Sequence, residues 1–245
     1  MKKFIITLLI LNILLIIVNL EFSGRFYHND INARKYEIHG IDISHHQIRI
    51  NWSLVDNRYK FVLMKATEGK DFMDTDFLYN WNKAQLNGFK VGAYHFFSMQ
   101  SSGKAQAMYY SSKVPKVDDS FPPIIDVELS RKYDKNKVIQ NLKDMIEILE
   151  AKYMKRVIIY TDYKSYNNFI KGELLDQPLW IRDIKKQPNI QEQNRWIIWQ
   201  YSNRGRVKGI DGFTDKNALR YDLYYYIKNL KKWNENLNGI YKRRI

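Results

Sequence analysis

The chain predicts an α/β fold closed into a barrel, and three features of its 245 residues point that way. Short apolar runs rich in β-branched and aromatic residues alternate with amphipathic helical stretches in one unbroken series. The apolar runs are continuous, as expected of parallel strands covered on both faces. At least seven of them occur without a dinucleotide-type glycine fingerprint, which favours a closed barrel over an open doubly wound sheet.

Taken in order, Lys2 and Lys3 precede an apolar run from Phe4 to Leu20 that is interrupted only by Thr7, Asn12 and Asn19. This is an export signal. It exceeds the roughly 7–15-residue core of a cleaved signal and reaches the ~17-residue lower limit of a membrane span, and no small-x-small site follows it. A cleaved signal peptide and a retained anchor both fit. The Lys pair holds the N-terminus inside in either case, so everything beyond about residue 25 is placed outside, secreted or membrane-anchored. The chain therefore divides into 1–25 (signal or anchor), 26–35 (a polar tether) and 36–245 (one folded domain).

Within that domain, Tyr36–Ser44, Phe61–Thr67, Val91–Phe97, Ile124–Glu128, Val157–Thr161, Leu179–Ile181 and Trp196–Tyr201 read as strands. Helices are expected over Thr75–Leu86, Ser102–Ser112 and Asp134–Tyr153. In the last of these, Val138, Leu142, Met145, Ile146 and Leu149 line one face at helical spacing. A further helix is expected from near Tyr221 past Trp233. In a barrel of this kind the C-terminal strand ends carry the active site. Asp42, Glu68, His95, Asp126, Glu128, Tyr160 and Gln200 all fall at or just past such ends.

Composition excludes several classes of function. No cysteine is present, so disulfides, thiolate metal sites and thiol nucleophiles are ruled out. A formal charge of +14 favours polyanionic partners, such as acidic cell-wall polymers or anionic lipid. The basic residues are dispersed, with small clusters such as Lys185-Lys186 and Lys231-Lys232, and form no nucleic-acid-binding motif, so no nucleic acid is expected. His45, His46 and His95 make a poor ligand set, so neither metal nor cofactor is expected. Asp42-Ile43-Ser44-His45 contains triad residue types without a nucleophile elbow.

The most informative segment is Pro122-Pro123-Ile124-Ile125-Asp126-Val127-Glu128, a buried-strand pattern ending in two carboxylates. Residues two apart on a strand share a face, which sets the Cα atoms of Asp126 and Glu128 roughly 6.6 Å apart. Two acids that close push their pKa values apart, as acid-catalysed glycoside cleavage requires.

Six phrases occur in one order: Gly40-Ile41-Asp42-Ile43-Ser44, Lys65-Ala66-Thr67-Glu68-Gly69, Gly92-Ala93-Tyr94-His95-Phe96-Phe97, Asp126-Val127-Glu128, Pro178-Leu179-Trp180-Ile181 and Trp199-Gln200-Tyr201-Ser202. Together they resemble glycoside hydrolase family 25, the lysozymes that act as N-acetylmuramidases, over about Glu37 to Leu219. The resemblance implies a modified β/α (TIM-like) barrel with a reduced set of outer helices. It also implies cleavage of the β-1,4 bond between N-acetylmuramic acid and N-acetylglucosamine in the glycan strands of peptidoglycan. Carried over by position, Glu128 is the general acid/base, Asp126 assists the developing positive centre, and Asp42 belongs to the same acidic site. Thr214-Asp215-Lys216-Asn217 matches the family's closing phrase and nominates Asp215 as the fourth carboxylate. Tyr94, Tyr160, Trp180 and Gln200 fall where sugar-contacting groups are expected. Glu68 either joins the site or pairs with a nearby Lys.

The chain departs from the family pattern where His45-His46-Gln47-Ile48 replaces a Gln-Gly ending, where Arg182 replaces Ala, and where Lys216 replaces an apolar residue. For an N-acetylated sugar the expected course is attack by the substrate's own acetamido oxygen, with net retention. The alternatives are a chitinase-like barrel hydrolase and a catalytically silent wall-binding protein. The chitinase-like reading would require Asp and Gly upstream of Asp126, where Phe121–Ile125 has neither. A pure binder has no use for a cluster of repelling acids. The protein is expected to act as a monomer.

Overall fold

The computed structural model of the chain describes residues 1–190 and 196–220. One sheet contains β1 (Ile38–Ile43), β2 (Tyr59–Glu68), β3 (Phe72–Met73), β4 (Lys90–Phe96), β5 (Ile124–Val127), β6 (Ile158–Asp162), β7 (Leu179–Arg182), β8 (Trp196–Gly205) and β9 (Thr214–Leu219). Strand order is β1-β9-β8-β7-β6-β5-β4-β2, and β1 also pairs with β2, so these eight strands close a barrel. All neighbours in the ring are parallel except β9, which runs antiparallel to both β8 and β1. Strand β3 is a short hairpin on the end of β2, outside the ring.

The seven strands expected from apolar runs are all present. Strand β9 was not anticipated, because Asp215, Lys216 and Asn217 break its apolar pattern. Those polar residues face the site or pair with other groups, so the strand is specified by its neighbours and not by its own hydrophobicity.

Among the described residues, three outer helices cover part of the ring: α3 (Phe77–Leu86), α4 (Gly103–Lys113) and α5 (Lys135–Tyr153), numbered after α1 (Lys2–Phe22) and α2 (Asn29–Ala33). Helix α5 forms where the 3.6-residue pattern places it. Asp134 caps it by accepting from the Lys137 amide at 2.9 Å, and Val138, Leu142, Met145 and Leu149 are fully buried against the barrel. Each such aliphatic contributes about 1.5–3 kcal/mol on burial, and Leu142→Ala would cost about 2–5 kcal/mol. Helices α4 and α5 touch so closely at Gly103 that a Cβ there would lie 1.8 Å from the Asn141 carbonyl oxygen. Elsewhere the crossovers are short turns, His45–Gln47 and Trp52–Leu54 after β1 and Tyr163–Ser165 and Tyr166–Ile170 after β6.

The core has two layers. Phe61, Leu63, Phe121, Ile124, Ile158, Trp180, Ile198 and Leu219 fill the barrel interior, and a larger cluster lies between barrel and helices. The acidic side chains described below lie beyond this plug, at the C-terminal mouth.

Helix α1 is long and apolar enough to cross a membrane, with a mean hydropathy of 2.5 and none of that window buried. The stretch expected to be a tether packs on the barrel. Tyr27 donates from its hydroxyl to the Ile184 carbonyl at 2.8 Å, and the fully buried Asn29 donates to the Tyr201 carbonyl at 3.0 Å. Asp30 pairs with Lys216 at 2.5 Å. Arg206 donates to the Ser23 carbonyl at 3.0 Å, which holds the end of α1 to the β8–β9 hairpin. Helix α2 thus packs on the barrel against β8. The helix expected from Tyr221, and the Lys231-Lys232 cluster, lie outside the described residues.

Candidate active site

Acidic side chains from three strands and one strand exit meet at the C-terminal mouth: Asp42 on β1, Asp126 on β5, Glu128 just past β5, and Asp215 on β9. Register explains the first pairing, since β1 and β9 run antiparallel with Asp42 directly opposite Asp215. Asp42 is 6% exposed and accepts three hydrogen bonds: from Gln200 Nε2 at 3.0 and 3.2 Å, and from Asn217 Nδ2 at 2.6 Å. Gln200 Nε2 also reaches Asp215 at 3.2 Å.

Burial is the chief cause of the titration pattern in this pair. It raises Asp42 to about 6 against the lowering effect of its Asn217 and Gln200 donors, and it raises Asp215 to about 9, with the charge of Asp42 adding to the rise. At neutral pH Asp215 holds a proton and donates it to ionised Asp42.

Asp126 is 6% exposed and its Oδ1 has no hydrogen-bond partner among the described residues. Burial, then the charges of Glu128 and Asp42, push its pKa well above the ordinary carboxylate value. Glu128 stands at the open edge of the mouth. Partial loss of hydration raises its pKa, Arg182 opposes the rise, and Asp162 and Asp42 reinforce it. The charges that hold the Glu128 proton in the free protein thus come from Asp162 and Asp42. Asp126 lies deeper and binds its own proton more tightly.

Below the acids lies an aromatic floor. Trp180 meets Tyr160 at 4.4 Å between ring centroids and Tyr94 at 6.1 Å, both edge-on. Trp180 Nε1 donates to Asn217 Oδ1 at 2.8 Å, and the Tyr160 hydroxyl donates to Gln200 Oε1 at 2.9 Å. Trp180 is 1% exposed and Gln200 is 2% exposed. Both were expected to touch sugar, but as placed they are spent on orienting Asn217, Asp42 and Asp215 from behind. Tyr160 is also buried, whereas Tyr94 keeps part of its ring at the mouth. Glu68 pairs with Lys65 at 2.6 Å, at the rim beside Phe72 and Phe96.

His95 faces away from the mouth. It is fully buried between β4 and α4, bonded to Thr67 Oγ1 at 2.8 Å and Gln106 Oε1 at 2.9 Å, and burial lowers its pKa to about 4, so it stays neutral. Accepting from Thr67 at Nδ1 and donating from Nε2 to Gln106 satisfies both nitrogens.

The loop after β1 is tied down at several points. Gln47 Oε1 accepts from the Ser44 amide at 2.8 Å, Gln47 Nε2 donates to the Phe213 carbonyl at 3.3 Å, and His45 bonds Asp74 through its amide and Nδ1 at 2.9 and 2.8 Å. The next residue, Ile48, has φ 52° and ψ −160° and is 66% exposed. The backbone keeps a conformation suited to the glycine that this position usually carries in the family the chain resembles, although the side chain is β-branched.

Asn217, Asp162, Asp74 and Lys65 belong to this neighbourhood and were not singled out from sequence. Asn217 was within reach, since it shares the face of Asp215 two residues on. The others depend on crossovers that no local pattern reveals.

Comparison with known proteins agrees with the geometry. The family model described as glycosyl hydrolases family 25 matches residues 41–210. The chain is similar to lysozyme M1 of Streptomyces globisporus, 33% identical over 190-odd residues that cover 74% of this chain and 67% of that one. It is also similar to YegX of Escherichia coli K12, 34% identical across 75% of this chain and 70% of that one. Among solved structures, a family 25 glycosyl hydrolase from Bacillus anthracis superposes with a TM-score of 0.74 at 35% identity, covering 80% of this chain and 94% of that one. The bacterial lysozyme of Streptomyces coelicolor gives 0.70 at 29%, covering 78% and 97%.

Proposed function

The chain belongs to glycosyl hydrolase family 25 and is a glycoside hydrolase, and we propose that it cleaves the β-1,4 bond between N-acetylmuramic acid and N-acetylglucosamine in peptidoglycan. The observation that carries this reading is the Asp126/Glu128 pair, with the pKa of both raised, at a barrel mouth that also holds Asp42 and Asp215. Glu128, at the open edge, donates a proton to the leaving sugar oxygen. The acetamido oxygen of the muramic acid attacks its own anomeric carbon, and Asp126 accepts a hydrogen bond from the acetamido N–H. That bond favours the ionised form of Asp126, and the released proton is best held on Glu128. Water then opens the cyclic intermediate with Glu128 as base, so configuration is retained. Asp42 and Asp215, sharing one proton, keep the mouth negative enough to stabilise the oxocarbenium-like centre. Tyr94 and the Lys65–Glu68 pair line the sugar path.

Digestion of purified peptidoglycan followed by mass spectrometry of the new reducing ends tests the assignment. N-acetylmuramic acid at those ends is the expected product, and N-acetylglucosamine would refute it.

A further inference from the structure

Arg182 ends β7 at the height of Glu128. Val127 pairs with Thr161 and Asp162 pairs with Arg182, so Glu128, Asp162 and Arg182 occupy one level on successive strands. Two strand spacings separate the first from the last, about 10 Å between Cα atoms. Trp180 belongs to the interior cluster, so Arg182, two residues on, has the inward parity at the mouth. Its side chain is half-buried, and among the described residues it forms no hydrogen bond or ion pair. Its charge nevertheless reaches Asp42, Glu128 and Asp215. Among the described residues, Lys65 pairs with Glu68 at the rim and Lys216 with Asp30 on the hairpin, whereas Arg182 is a cation available inside an acidic cleft.

We propose that Arg182 binds the free carboxylate of the lactyl ether on C3 of N-acetylmuramic acid, and so makes the enzyme prefer glycan from which stem peptides have been removed. This rests on the muramidase reading above. A guanidinium offers two parallel N–H donors that match a carboxylate. The lactyl carboxyl is the acidic group of the glycan backbone, because N-acetylglucosamine carries none. Glu128 protonates the oxygen on C1, the C3 substituent sits on the same ring, and the span of about 10 Å between the Glu128 and Arg182 Cα atoms can hold that ring between the acid and the guanidinium. In peptide-bearing glycan the same carboxyl is an amide and carries no charge. The reaction that must supply the preferred substrate is hydrolysis of the amide bond joining the lactyl carboxyl to the stem peptide.

The test uses soluble oligomers of alternating N-acetylglucosamine and N-acetylmuramic acid, with lactyl carboxyls either free or converted to methyl amides. Values of kcat/KM are measured for the full chain in detergent and for its Arg182→Ala and Arg182→Lys variants across pH. Wild type is expected to favour the free acid on the order of tenfold, the share of one charge-assisted contact. Arg182→Ala should lower kcat/KM on the free acid about tenfold more than on the amide, and Arg182→Lys should keep part of the preference. An equal loss on both substrates, with a shifted pH profile, would mean that Arg182 acts only on the charge of Glu128 and would overturn the proposal, as would an acid-to-amide ratio that Arg182→Ala leaves unchanged. If wild type cuts neither oligomer, the muramidase reading itself fails.

Discussion

Replacing Asp215 by Asn should make the protein less sensitive to alkali, by an amount that the Asp42–Asp215 pair sets. In the unfolded chain Asp215 titrates near 3.8, and in the folded protein burial and the Asp42 charge raise it to about 9. Between those values the folded state holds one proton more than the unfolded state. Stability must therefore fall as pH rises, by up to about 1.4 kcal/mol per pH unit from this residue. Asp215 still meets solvent along the cleft, and screening reduces the effect by about half, leaving roughly 2 kcal/mol between pH 5 and pH 8. An Asn side chain can still donate to Asp42 but carries no titrating proton, so its contribution is flat over the same range. The assay is urea unfolding of both proteins at several pH values, compared by difference, so that Asp126 and Glu128 cancel to first order. Wild type should lose about 2 kcal/mol relative to Asp215→Asn over that range. A difference that stays constant with pH would refute the shared-proton account.

Other outcomes follow from the same geometry. Glu128→Gln should lower kcat on natural peptidoglycan by ~10²–10⁴-fold with the unfolding midpoint little changed, since the amide keeps the shape but cannot deliver a proton. Ile48→Gly should raise stability by about 1 kcal/mol, because relief of a φ of 52° outweighs the extra freedom of Gly in the unfolded chain and the exposed side chain loses little packing. A lower melting temperature for that variant would show that Ile48 is held by contacts and is not strained. A chain beginning at residue 26 should fold and retain activity on isolated peptidoglycan. A chain beginning at residue 36 should lose at least about 2 kcal/mol, since it leaves Lys216 without Asp30 and removes the Asn29 and Tyr27 hydrogen bonds. Equal melting curves for the two truncations would show that α2 adds nothing.

Much of this architecture is legible in the sequence, for reasons that also mark where legibility stops. Strands such as β5 and β6 declare themselves because both faces are buried and their apolar runs are continuous. Strand β9 does not, because its inward residues serve the acids. Asp126 and Glu128 could be placed together from strand parity alone, whereas the partnership of Asp42 with Asp215 needs two segments more than 170 residues apart to align antiparallel. Trp180 and Gln200 lie on strands that the sequence marks, β7 and β8. Whether such a residue faces sugar or backs up an acid depends on what lies above it, and a one-dimensional pattern does not contain that. The stretch 26–35 looks like a tether because it is polar, yet its polar groups are partners for Lys216 and for backbone carbonyls of the barrel.

If α1 is kept as an anchor, that docking fixes how far the enzyme can work from a bilayer. Ten free residues would span up to about 33 Å and let the barrel roam through a thick layer of wall. Here the slack is absent: α1 ends at Phe22, Arg206 grips Ser23, and Gly24 is so tightly placed that a Cβ would meet the Arg204 carbonyl oxygen at 1.9 Å. Wherever α1 stays in the membrane, the cleft rides at a set height with a set tilt, like a blade clamped to a bench. Its substrate is then chosen by altitude as well as by chemistry, and only glycan within one barrel's width of the lipid surface comes under it.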